Sequence, residues 1–144
     1  MIEQVSVFLE NSTGRLAELT RALGDAGIDM HALMVADTES FGVVRIICDT
    51  PRAARDILAG RGFSVTLTPV IAVEVPDRPG GLADVLEALG RADKNVEYAY
   101  CFVKPAGDAA VDVLKVDDIS AEETLLAEGY SVLRPDSVYE LDPS

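Results

Sequence analysis

The chain is expected to be an α+β protein made of two tandem βαββαβ modules, residues 1–68 and 69–144. Each module should be an antiparallel four-stranded sheet with two helices on one face, and the two sheets should lie side by side. Three observations predict this. The sequence repeats itself at one period. Each copy alternates apolar positions where strands belong and stripes them at helical spacing where helices belong. A length of 144 residues suits one ordinary domain or two very small ones.

The repeat is read by setting VFLENSTGRLAELTRALGDAG, from Val7, over VEVPDRPGGLADVLEALGRAD, from Val73, an offset of 66. Gly14 falls on Gly80, Leu16 on Leu82, Leu23 on Leu89 and Gly24 on Gly90. Further on, Gly62-Phe63-Ser64-Val65 falls on Gly129-Tyr130-Ser131-Val132 at an offset of 67. One added residue is expected near Pro105-Ala106-Gly107-Asp108. Chance matches would not keep one order with one small gap.

In the first copy Val5, Val7 and Leu9 alternate as a strand. Asn11-Ser12-Thr13-Gly14 is a turn cluster. Leu16, Leu19, Leu23 and Ala26 then stripe a helix that Gly24 and Gly27 bring to an end. Residues 28–37 and 42–48 read as strands joined by Asp37-Thr38-Glu39-Ser40. Thr50-Pro51 reads as a helix start, with the hydroxyl as N-cap and proline at the first helical position. Ala53, Ala54, Ile57 and Leu58 share one face of that helix, and Phe63–Leu67 closes the copy as a strand.

The second copy follows suit. Val70–Val75 is a strand, and Leu82, Val85, Leu86 and Leu89 stripe a helix. Val96–Val103 and Ala110–Val116 are strands, Ser120 with Glu123 fits a capping box, and Tyr130–Leu133 and Val138–Leu141 close the chain. Pro69 marks the junction, with no flexible linker. The stripes Leu16/Leu19/Leu23 and Leu82/Val85/Leu89 should be buried.

Lys plus Arg number 12 against 25 Asp plus Glu, a net charge of −13. Nucleic-acid binding starts from a basic footprint, and anionic membranes repel the same sign. Neither partner is expected. Cys48 and Cys101 stand far apart with no CxxC, and read as small buried hydrophobes rather than a disulfide or metal pair. No apolar run has the ~18–20 residues a spanning helix needs. MIEQVSVFLEN lacks a basic n-region, so no signal peptide is expected and the cytoplasm is the expected location.

The segment richest in chemistry is Asp77-Arg78-Pro79-Gly80-Gly81-Leu82, with its partner Asn11-Ser12-Thr13-Gly14-Arg15-Leu16. Glycine lets backbone approach a ligand with no Cβ between them. The following helix offers unpaired N–H groups and a positive dipole end suited to a carboxylate. Asn11 and Asp77 could cap their helices or touch a ligand, and from chemistry alone capping is the plainer reading.

D-R-P-G-G-L after a strand, E-N-S-T-G-R-L in the first copy and the βαββαβ order together resemble the ACT domain family, whose modules are ferredoxin-like. The arrangement is similar to the small stand-alone tandem ACT proteins of bacteria, and the resemblance covers essentially the whole chain. It implies binding of a free amino acid or other small molecule at the interface of two modules. The strand–helix loop then supplies backbone donors and the start of the second strand supplies side chains. Residue by residue, it points to Asn11, Thr13, Gly14, Arg15 and Leu16, and to Asp77, Arg78, Pro79, Gly80, Gly81 and Leu82. The second-strand positions are Asp29 and Asn95. Asn95 matches the polar residue frequent in the family; Asp29 departs from it, and Thr13 stands where proline is usual.

Other groups read blandly. His31 has no nucleophile beside it in sequence, which favours a structural or solvated histidine over catalysis or zinc. Tyr98, Tyr100 and Phe102 share a strand face, as in RNA-binding sheets, but the acidic charge favours core or interface packing. Asp117, Asp118, Glu122 and Glu123 read as solvated acids favoured by a helix start.

The expectation is therefore a non-catalytic sensor of a free amino acid that regulates amino-acid metabolism, with no metal and no cofactor. Its alternative is a regulatory subunit acting mainly through contact with a metabolic enzyme, with ligand binding secondary. A homodimer is a further expected partner state.

Overall fold

The computed structural model describes residues 1–37, 41–102 and 109–144. The elements run β1 (Ile2–Glu10), α1 (Arg15–Asp25), β2 (Met30–Asp37), β3 (Phe41–Cys48), α2 (Pro51–Gly60), β4 (Ser64–Pro76), α3 (Gly81–Arg91), β5 (Val96–Cys101), β6 (Ala109–Val116), α4 (Ala121–Ala127) and α5 (Pro135–Val138). They form two compact units. The first comprises Glu3–Thr68 and Val138–Ser144; the second comprises Met1–Ile2 and Pro69–Ser137.

In the first unit the strand order is β2-β3-β1-β4. The antiparallel register sets Val5 opposite Ile46 and Val7 opposite Val44 in β1/β3, and Val35 opposite Val44 in β2/β3. Alternation then decides the core. Val5, Val7, Leu9, Val44 and Ile46 are buried against Leu19 and Leu23 of α1 and Ala54 and Leu58 of α2, so both helices cover one face. In the second unit β4, β6 and β5 adjoin in that order. Ile71, Val73, Val75, Leu114 and Val116 pack with Val85 and Leu89 of α3 and Leu125 of α4.

Several expectations are corrected. Leu16 and Leu82, placed in the buried stripes, are each 38% exposed. Both stand on the first helical turn, just past the end of the sheet, where little lies beneath them. The strands expected at Phe63–Leu67 and Val70–Val75 are one strand of 13 residues that runs through Pro69. Proline's φ suits an extended chain, and only one ladder donor is lost. The closing strand at Tyr130–Leu133 shrinks to a bridge between Val73 and Val132, flanked by the Glu74 N–H to Ser131 O and Leu133 N–H to Ala72 O bonds. Val35 faces Val44 while Cys101 faces Asp112, so the connection after β5 is two residues longer than its counterpart rather than one. The segment Pro105–Asp108 assigned to that insertion lies outside the described residues, as do Thr38–Ser40 of the first connection.

The helix caps differ most. Thr50 is the N-cap of α2, but its φ is +41° and its hydroxyl makes no capping bond. The caps come from the other end of the chain: Asp142 accepts the N–H of Arg52 at 3.0 Å and of Ala53 at 2.9 Å. The expected strand Val138–Leu141 is instead the end of α5 and an irregular strap. Thr50 N–H donates to Glu140 O at 2.7 Å, and Glu3 N–H donates to Tyr139 Oη at 3.0 Å. No capping box forms at Ser120. Its N–H and hydroxyl donate to Asp118 Oδ1, while Lys94 Nζ donates to Asp118 Oδ2 at 2.6 Å. Glu122 meets the Met1 amino group at 2.6 Å. Two of the four acids taken as solvated are thus bonded.

Two measurements test these caps. Asp142→Ala should cost about 1 kcal/mol, the worth of a helix N-cap, and lower Tm by roughly 2–4 °C in a chain of this size. Lys94, and then the Ser120 donors, hold the Asp118 carboxyl well below the usual aspartate range. A lowered folded pKa contributes stability above the unfolded value of about 3.9, and loses it as pH falls toward the folded value. The Tm gap between wild type and Asp118→Asn should therefore be full at neutral pH and close progressively below about pH 4.

Candidate functional site

Two strand–helix corners lead into α1 and α3. Each turns on a glycine at positive φ, Gly14 at +88° and Gly80 at +85°, which serves as the N-cap and makes no side-chain capping bond. Asn11 and Asp77 therefore do not cap these helices; both are exposed and, among the described residues, hydrogen-bond to nothing. Arg15 N–H reaches Ser12 O and Gly81 N–H reaches Arg78 O. Among the described residues no acceptor takes the N–H groups of Leu16 and Ala17, or of Leu82 and Ala83. Helix α2, by contrast, has its first donors taken by Asp142. A carboxylate placed over either open helix start would meet two backbone donors and the positive end of the dipole.

The two corners are not copies. A Cβ on Gly81 would lie 2.1 Å from the carbonyl oxygen of Pro76, so this corner closes onto its own strand. Arg15 occupies the aligned position in the first unit. Its guanidinium lies 4.3 Å from the Phe63 ring centroid and 2.9 Å from Glu18. Arg78 is held 2.8 Å from Asp84. Both arginines are thus already engaged by acids on the helices that follow their corners. Thr13 and Pro79 are exposed. Gly14, with Ala17, Glu18, Thr20 and Arg21, lines an open cleft on α1.

Asp29 and Asn95 lie elsewhere. They precede β2 and β5, whose far ends, not their starts, approach the corners: Asp37 and Leu9 both face Gly42. Across that length of strand the separation within one unit is roughly 20 Å, at ~3.3 Å per residue. Each unit therefore brings its corner residues together and leaves its second-strand residue at the opposite end of the sheet.

Around Asp29 the structure gathers groups that were not read together from the sequence. A bulge between Met30 and Ala32 frees His31 from the alternation, and its Nε2 lies 2.8 Å from Asp49 Oδ1. Partial burial raises the Asp49 pKa, but the Glu140 N–H and His31 outweigh it and hold the carboxyl below the usual range. The second unit bulges at the aligned Glu97, which pairs with Lys115 at 3.1 Å. Asp112 also escaped notice. It aligns with the core residue Val44 and is 4% exposed, with Oδ1 unpartnered among the described residues. An acid inside the run AAVDVL was its signal. Cys101, expected to be buried, is exposed. Its bond to Asp112, then burial, lifts its pKa to about 11; burial lifts that of Cys48 to about 12. Neither thiol is ionised at neutral pH. Tyr100 is buried and Tyr98 half-buried, as packing predicted.

The sequence matches the family described as an ACT domain pair over residues 1–140, and the chain belongs to that family. Among solved structures it is similar to protein BT0572 from Bacteroides thetaiotaomicron, at 33% identity and a TM-score of 0.90, covering 97% of this chain and 96% of that one. The regulatory subunit of aspartate kinase from Thermus thermophilus, in a ligand-free form, shares the fold at 19% identity and a TM-score of 0.65, over 88% and 89% of the two chains. No curated protein matches the sequence. No helix among the described residues is long and apolar enough to cross a membrane.

The corners differ in a way that stability can read. Gly14→Ala meets no neighbouring atom and should cost about 1–2 kcal/mol, the penalty for a left-handed residue. Gly81→Ala should cost more, because the Pro76 carbonyl must move. Equal losses in denaturant midpoint would mean that the second corner is not closed as described.

Proposed function

We propose that this protein is a non-catalytic sensor that binds a free amino acid and regulates amino-acid metabolism, through two ACT modules at residues 1–68 and 69–144. The observation that carries the reading is the pair of uncapped helix starts behind Gly14 and Gly80. The chain fills the donors of α2 with a carboxylate of its own and leaves those of α1 and α3 open. A ligand carboxylate is the group they suit. Residues Asp77–Leu82 would form one loop and Asn11, Thr13, Gly14, Arg15 and Leu16 the other. Asn95 and Asp29 lie too far away to join the corner of their own unit, so a ligand touching both kinds of position would draw them from different modules. Both thiols are protonated and the imidazole is engaged by Asp49, so neither cysteine nor the histidine is an activated nucleophile, which supports a binding role. The acidic surface speaks against RNA.

A thermal-shift screen of the twenty amino acids tests this. A ligand that binds only the folded state raises stability by about 2.7 kcal/mol at a hundredfold excess over Kd. At least one amino acid should raise Tm. Gly80→Val, checked first for a native circular-dichroism spectrum, should abolish the shift, and Asn95→Ala should weaken it. If no amino acid moves Tm, the sensor reading fails and regulation through contact with a metabolic enzyme takes its place. If Gly80→Val folds and still binds, the corner is only a turn.

A further inference from the structure

We infer that Asp29, His31 and Asp49 of the first unit form a site for one divalent transition-metal ion, zinc being the probe of choice. One ligand atom from each of the three residues lies within 4.8 Å of the other two. Tetrahedral zinc bonds of about 2.0–2.2 Å put ligand atoms about 3.3–3.6 Å apart, so binding draws the set together by roughly an ångström, a shift open to the exposed Asp29 side chain. Two carboxylates balance the charge of a divalent ion. An imidazole beside them favours the zinc and late transition-metal class over magnesium or calcium, which take oxygen alone.

The three residues are held in place before any ion arrives. Asp29 and Asp49 are tied by the bond from Asp49 N–H to Asp29 O at 3.0 Å. The β2 bulge falls at His31 and turns its ring to Asp49, and bulges that re-aim a side chain recur beside functional sites. Glu140 N–H donates to Asp49 Oδ1 at 2.8 Å, the kind of outer bond that orients a ligating carboxylate. Asp29 is exposed, and Asp49 and His31 are half-buried, which leaves a path for the ion and room for water as a fourth ligand. To bind it, the ring gives up its bond to Asp49, keeps one proton on the nitrogen away from the ion, and offers the other lone pair. The second unit supplies an internal contrast. Asn95 and Glu97 take the aligned places, and Lys115 faces Glu97. One ion per chain follows.

This inference does not rest on the amino-acid reading, with which it shares only Asp29; the cluster stands at the other end of the sheet from the glycine corner. The test is a zinc titration of the full chain after dialysis against chelator, with excess magnesium to occupy diffuse acidic sites. His31 is the only histidine, so its imidazole resonances report ligation directly. One zinc per chain should bind, shift those resonances and raise Tm. His31→Ala and Asp29→Asn should each weaken binding by at least about tenfold, and Cys101→Ser should leave it unchanged. Asp29 is exposed, so its variant keeps the test valid should His31→Ala fold poorly. Absence of binding, imidazole signals indifferent to zinc, unchanged affinity in both site variants, or loss of binding in Cys101→Ser would each overturn the inference. Amino-acid shifts measured with chelator present decide the sensor reading separately.

Discussion

A chain that leaves a strand and lays a helix back over the same sheet must reverse within a few residues. Here it does so between Glu10 and Arg15 and again between Pro76 and Gly81. Positive φ at Gly14 and Gly80 makes the reversal possible, because a side chain in that conformation is strained. Once the helix is laid down, alternate residues of the strand must meet it. Val5, Val7 and Leu9 go under α1, and Ile71, Val73 and Val75 go under α3. A slip of one residue in β1 would put Phe8 and Glu10 into the core, so the corner and the register select each other. The same corner leaves the first turn of each helix uncapped, which is why a folding constraint and a candidate binding surface coincide.

The units share this constraint and diverge around it. Arg15 stands where Gly81 is needed, because the first corner does not press against its own strand. Val44 is plain core, whereas its counterpart Asp112 buries a carboxylate, one oxygen of which has no partner among the described residues. The bulge that presents His31 presents Glu97 in the second unit, and each takes a partner of the opposite character: Asp49 for the imidazole, Lys115 for the carboxylate. Equal folds with unequal polar insertions are what a duplicated module shows when packing fixes its apolar positions and leaves its ends free to vary.

The fold was legible because its signals are local and doubled. Strand alternation, helical stripes and the glycine corners each appear twice at one offset. What stayed hidden was non-local. Nothing near Thr50 tells that Asp142 will cap α2, since Asp142 stands 90 residues beyond Arg52, whose N–H it accepts. Ser120 and Glu123 had the spacing of a capping box, but Asp118 was closer and charged, and took the serine's donors. Pro69 looked like a break because proline often is one; in an extended chain it need not be. The corner residues of the candidate site could be read from the motif. That Asp29 and Asn95 stand at the other end of the sheet needed the strand registers.

At that other end of the first unit one carboxylate serves several neighbours. Asp49 Oδ1 meets the imidazole of His31 and the N–H of Glu140, while the Glu140 carbonyl accepts from Thr50, the N-cap of α2. Two residues on, Asp142 takes the first donors of that helix. The imidazole, the strap and the helix start are therefore one hydrogen-bonded set, in which each bond holds the geometry of the next. Tyr139 fixes the strap from its other side through Glu3. A change in what His31 binds acts on Asp49 directly and on the strap through a single further bond, so chemistry at the start of β2 bears on how firmly the chain's last residues close over α2.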